Sequence, residues 1–102
     1  MSQNEKIIES ISVRDFYESC REPLKLELIC GEENLDRIIG EKSLNRPALA
    51  LTGYFRYFAH RRIQLFGAGE MGHLRDCDPA KSEEMLAKMA RKNIPCILIS
   101  RN

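Results

Sequence analysis

The first helical spacing of apolar residues falls at Val13, Phe16 and Tyr17, after a polar opening from Met1 to Lys6. Ser12, followed three positions later by Asp15, resembles a capping box, so the pattern predicts a short helix running to about Glu18. Pro23 should end it, because the residue before a proline is driven out of the helical region. Leu24, Leu26 and Leu28 then alternate with Lys25 and Glu27, which predicts a strand with one buried face over residues 24–28. Gly31, Glu32, Glu33 and Asn34 supply turn chemistry before a second strand over residues 37–40, so this pair is expected to form a β-hairpin.

Residues 43–53 combine a polar loop, Pro47 in a position suited to a first helical turn, the helix formers Ala48 to Leu51, and a stopping Gly53. They predict a loop feeding a short helix. Residues 62–66 form the next strand, and residues 95–99 make a near-continuous apolar run of the kind found in buried parallel strands. The helix between them begins at Asp78 as a cap with Pro79 in its first turn. It presents Met85, Leu86, Met89 and Ala90 on one face and closes near Arg91 and Lys92. Strand, helix, strand is a βαβ unit with parallel strands. A hairpin joined to such a unit predicts an α/β chain with a mixed sheet covered by helices, in one domain spanning residues 1–102 with residues 1–10 flexible.

Composition fits one modest core: of 102 residues, 43% are hydrophobic and 30% charged. No apolar run exceeds six residues, against the roughly 20 that a bilayer requires. The N-terminus has no apolar signal core, which leads us to expect a cytoplasmic protein without a membrane span. The chain also stops directly after a buried strand, as a fragment of a longer chain would.

A net charge of +1 conceals an asymmetry, for residues 42–69 contain no Asp or Glu but five cations: Lys42, Arg46, Arg56, Arg61 and Arg62. That stretch should attract anions. Its aromatic run, Tyr54 to Phe58, holds four of the seven aromatic residues. Stacking rings between cations can bind single-stranded nucleic acid. Core packing is the better use of so many rings, so nucleic acid is not expected as a partner.

Four scattered cysteines, Cys20, Cys30, Cys77 and Cys96, contain no C-x-x-C pair and read as free, buried or half-buried thiols. His73 and Cys77 share a helical spacing, but no second pair completes a zinc set, and no metal site is expected. Gly67, Gly69 and Gly72 match G-x-G-x-x-G after a strand. The fingerprint also needs a helix running on from the glycines, and the 76–79 stretch, Asp-Cys-Asp-Pro, should interrupt that helix after one turn. It needs an acidic residue after the next strand too, where Ser100 and Arg101 stand, although Arg101 would suit a 2′-phosphate. We therefore read it as a false fingerprint and expect no cofactor. No phosphate loop of the G-x-x-x-x-G-K-[ST] type is present, and no serine or cysteine has a histidine in any motif with it, so the chain should carry no catalytic residues of its own.

Five ordered blocks, residues 11–16, 24–37, 45–55, 62–67 and 94–102, resemble the N-terminal domain of HPr kinase/phosphorylases. The chain departs from that family at Ala48, where glycine is common, at Arg56, near which an acid is usual, and at the glycines Gly69 and Gly72. The resemblance implies a three-layer α/β/α fold with a mixed sheet, similar to the N-terminal domains of Mur ligases, in which the loop matching Asn45, Arg46 and Pro47 helps hold a uridine diphosphate group. It further implies a bacterial bifunctional enzyme that phosphorylates and dephosphorylates a serine of HPr, the phosphocarrier of the sugar phosphotransferase system, in carbon catabolite regulation. Its ATP and magnesium would belong to a C-terminal domain lacking here. This chain would then be a non-catalytic assembly or regulatory domain, a homo-oligomer meeting HPr through the parent enzyme. Its interface or ligand residues would be Asn45, Arg46, Pro47, Arg61 and Arg62. The alternative is a stand-alone sensor in which those residues bind a small anionic ligand, a phosphorylated or nucleotide-like metabolite.

Overall fold

The computed structural model describes residues 10–100; the expected flexibility of residues 1–9 and any role for Arg101 lie outside the described residues. The chain divides between Lys42 and Ser43 into two compact units. Among the described residues, three α-helices and two small two-stranded sheets make it an α/β protein. No helix among the described residues is long and apolar enough to cross a membrane.

In the first unit, strand β1 (Ile11–Ser12) runs directly into helix α1 (Val13–Leu24). The predicted cap is present: the Ser12 hydroxyl accepts from the Asp15 N–H at 3.0 Å. The helix's opening N–H groups, which have no partner within the helix, find them in the following segment. Val13 donates to the Arg37 carbonyl and Arg14 to that of Leu35, each at 2.8 Å. Strand β2 (Ile38–Ile39) pairs antiparallel with β1, Ile11 opposite Ile39, and Val13 and Ile39 are buried.

The expected hairpin is corrected here. Residues 24–28 form no strand; α1 continues through Pro23 to Leu24, and the partner of β2 is β1. Lys25, at φ 53°, closes the helix in the left-handed region, its N–H turned back to the Arg21 and Glu22 carbonyls, while the Leu26 N–H reaches the Arg21 carbonyl at 2.9 Å. This Schellman-type closure uses the donors that a ladder would have required.

In the second unit, strand β3 (Gln64–Phe66) pairs in parallel with β4 (Ile97–Ile99), Phe66 beside Ile99. On the other edge of β3, Asn45 makes an isolated parallel bridge to Gln64. The parallel pairing follows the prediction, but two helices rather than one separate the strands: α2 (Ala68–Asp76) and α3 (Pro79–Ala90). The expected interruption at residues 76–79 is present, since α2 stops at Asp76 and Pro79 opens α3, but it comes after nine helical residues that include Gly69 and Gly72 rather than after one turn. Asp78 caps α3 with its backbone rather than its side chain: its carbonyl accepts from Lys81 at 2.9 Å and Ser82 at 3.0 Å. The short helix predicted after Pro47 is a single 3₁₀ turn, Ala50–Thr52, stopped by Gly53 at φ 102°, a conformation that glycine adopts without a steric penalty.

Ala50, Leu51, Phe66, Met89 and Ile94 form the core of this unit, with Phe55, Phe58, Met71, Leu74 and Leu86 packed around them. Met89 is fully enclosed. Ala90, expected on the same face, is exposed.

Candidate functional site

Asn45 enters the site as an added edge of the parallel sheet. Its N–H donates to the Ile63 carbonyl at 2.9 Å and its carbonyl accepts from the Leu65 N–H at 2.8 Å. The side chain completes the attachment, Nδ2 donating to Gln64 Oε1 at 2.7 Å. Gln64 is 0% exposed, and burying an amide is tolerable only when its polar atoms are paired. They are: its Nε2 donates to the carbonyls of Ala59 and Arg62, both at 2.9 Å. Asn45 and Arg62 are therefore tied to one buried glutamine, the first by its side chain and the second by its carbonyl.

With Asn45 fixed, Arg46 reaches the start of α2. Its Nε donates to Glu70 Oε2 at 3.0 Å and its Nη2 to Glu70 Oε1 at 2.8 Å. Such a two-point pair matches the planar fork of the guanidinium to the carboxylate. Glu70 Oε1 also accepts from the Gly67 N–H at 2.9 Å, so Glu70, in the third position of α2, satisfies one of the helix's unpaired donors. The Arg46 side chain is 56% exposed and that of Glu70 3%. The Arg46 hydrogen bonds hold the Glu70 carboxyl down at about 2, with burial opposing and the Gly67 N–H reinforcing the shift. Hydrogen bonding to Glu70 raises Arg46 in turn.

This pair explains one glycine of the G-x-G-x-x-G run. A Cβ on Gly67 would lie 2.7 Å from Arg46 Nη2, so the close passage of the guanidinium requires its absence. Gly69 has open space around it, and a Cβ on Gly72 would make only ordinary contact.

Pro47 is buried, and its carbonyl accepts from the Leu51 N–H at 3.0 Å, which links the Asn45 segment to the 3₁₀ turn. Arg61 is exposed and Arg62 half-buried. Gln64 and Glu70, the two buried groups that organise the site, were absent from the sequence-based candidates. Glu70 had a local signal, standing three positions after the residue that precedes the helix, as in a capping box. Gln64 had a weaker one, as the polar residue within an otherwise apolar strand.

His73 and Cys77 do approach each other, Nε2 to Sγ at 3.5 Å. His73 Nε2 also lies 3.2 Å from the Leu51 carbonyl. A carbonyl only accepts, so Nε2 carries the proton in that contact. Among the described residues no three His, Cys, Asp or Glu side chains gather as a metal would need. Cys20, Cys77 and Cys96 are half-buried free thiols, whereas Cys30 is exposed.

The family described as HPr Serine kinase N terminus matches residues 11–102. The chain belongs to this family. Among its relatives, the HPr kinase/phosphorylase of Listeria monocytogenes serotype 4a is 40% identical over 93 residues, covering 91% of this chain and 28% of the relative. That of Latilactobacillus sakei subsp. sakei is 40% identical over 80 residues, 78% of this chain and 26% of the relative. The enzyme of Caldicellulosiruptor bescii is 39% identical over 67 residues, 66% of this chain and 22% of the relative. The chain thus spans about a quarter of the length of the curated relatives it matches. Asn45, Arg46 and Glu70, like the strand pair β3 and β4 that positions them, all fall inside the matched region of this N-terminal family.

Proposed function

We propose that this chain is the non-catalytic assembly or regulatory N-terminal domain of a bifunctional HPr serine kinase/phosphorylase acting in the cytoplasm, in phosphotransferase-system carbon catabolite regulation. The carrying observation is the family match over residues 11–102 on a chain that corresponds to only 28% of its Listeria relative. Because that match crosses the boundary between the two compact units, we read both as parts of one family domain. ATP, magnesium and the phosphoryl chemistry on HPr belong to the remainder of the enzyme. The Arg46 to Glu70 pair fits such a role, since its two charges neutralise each other and hold a loop to a helix. The segment Asn45, Arg46 and Pro47, together with Arg61 and Arg62, is the proposed contact between copies. Native mass spectrometry tests this: oligomers that Arg61→Glu with Arg62→Glu dissociates are expected, and a strictly monomeric chain would count against an assembly role.

One observation favours a second reading, in which the domain senses a phosphorylated or nucleotide-like metabolite. Glu70 engages Nε and Nη2 of Arg46, whose side chain is more than half exposed. The outer edge can meet an anion without breaking the pair. A ligand present at about 100 times its dissociation constant adds about 2.7 kcal/mol of stability. A thermal-shift screen over sugar phosphates and uridine nucleotides should therefore show a clear rise, and a flat screen removes this reading.

A further inference from the structure

Away from Arg46, the second unit carries another concentration of positive charge. Lys88, Arg91 and Lys92 are spaced i, i+3, i+4 at the end of α3, which places them on one face. With Phe55 they line a shallow cleft of about 320 Å³. The Lys92 ammonium stands 5.4 Å from the centre of the Phe55 ring, and the Arg56 guanidinium 5.4 Å from that of Tyr57. Among the described residues, none of these four cations forms an ion pair with an acid.

Cations at a helix C-terminus favour the macrodipole, which accounts for part of this arrangement. It does not account for the exposed rings that follow and precede Phe55 in the chain. Tyr57 is 80% exposed, Tyr54 49% and Leu49 65%, and the Tyr54 N–H bonds the Leu49 carbonyl at 3.1 Å, so those two are neighbours. Exposed tyrosines next to arginine make up the composition that anchors protein interfaces, and contiguous apolar exposure marks a contact surface.

We propose that this face docks an acidic segment of another protein, its carboxylates on Lys88, Arg91 and Lys92 and an apolar side chain against Phe55 and Tyr57. Nucleic acid fits less well. A nucleic-acid surface expects a strongly basic domain, whereas this chain has 16 basic against 15 acidic residues, and Glu84 lies one helical turn before Lys88 on α3.

Three probes test it on the chain as it stands: a short peptide of Asp and Glu around a leucine, the same peptide with Asn and Gln in place of the acids, and a short single-stranded oligonucleotide. Each is titrated while backbone amide NMR signals and fluorescence anisotropy are followed. The acidic peptide should shift the signals of residues 54–57 and 88–92 and weaken with added salt, as screened surface charges do. Lys88→Glu with Arg91→Glu should weaken it about tenfold or more, since juxtaposed like charges oppose binding, and Tyr57→Ser should weaken it without altering the melting temperature. The proposal is overturned if the amide peptide binds equally well, if the shifted signals lie elsewhere, if nothing binds, or if only the oligonucleotide does.

Discussion

Arg46 and Glu70 lie 24 positions apart in sequence and meet through two hydrogen bonds of 3.0 and 2.8 Å, one partner open to solvent and the other enclosed. Exposed ion pairs are usually worth little, as the Arg14 to Asp36 contact at 3.2 Å with both side chains exposed must be. Enclosing one member changes the balance. Removing the other then leaves a largely enclosed carboxylate without its partner.

Arg46→Ala should therefore destabilise the chain by more than the loss of an exposed ion pair such as Arg14 to Asp36 would. Arg46→Lys should cost less but still a measurable amount, because an ammonium cannot reproduce the two-point fork. Urea unfolding of these variants and of Glu70→Gln, combined as a double-mutant cycle, measures the coupling. Additive effects would show that the two residues do not act together.

Gly67→Ala places its new methyl against the end of the Arg46 side chain. That end can swing away, but only by leaving Glu70, so the cost should approach and not exceed that of Arg46→Ala. In the Arg46→Ala background the same substitution should cost almost nothing. Equal penalties in both backgrounds would locate the strain in the backbone instead.

Stability should fall in acid through Glu70. Its folded pKa is held at about 2 against an ordinary 4.5, so between those values the unfolded chain binds more protons than the folded one, and stability rises with pH there. The Glu70 contribution is complete above about pH 4.5 and disappears as pH falls toward 2. Denaturation followed across this window should show a slope that Glu70→Gln reduces.

The cysteines should separate by alkylation rate. Burial pushes the Cys96 thiol up to about 11, leaving little thiolate near neutrality, and the thiolate is the attacking form. Cys30 is exposed. Iodoacetamide labelling followed by peptide mass mapping should modify Cys30 first and Cys96 only when the chain unfolds. Labelling of Cys96 in the folded protein at the Cys30 rate would contradict its placement.

Local rules sufficed wherever an element's signal lay within a few residues. Ser12 and Asp15 specified the start of α1, Gly53 the end of the turn after Pro47, Pro79 the opening of α3, and the apolar runs the paired strands β3 and β4. The family, too, was legible, since ordered blocks of sequence carry it. What the sequence could not decide was which partner each polar or apolar group would choose. The alternating leucines 24, 26 and 28 satisfied a strand pattern, but closing α1 took the backbone donors of Lys25 and Leu26, and β1 took the edge of β2. The glycines resembled a nucleotide loop, but a helix ran through them, and only Gly67 proved constrained, by a guanidinium from 21 residues earlier in the chain. Periodicity reports burial and local capping, which short stretches of chain encode. Glu70 joining Arg46, and Gln64 joining Asn45 to Arg62, depend on long-range packing that brings distant residues within hydrogen-bonding distance, and the tertiary structure alone determined them.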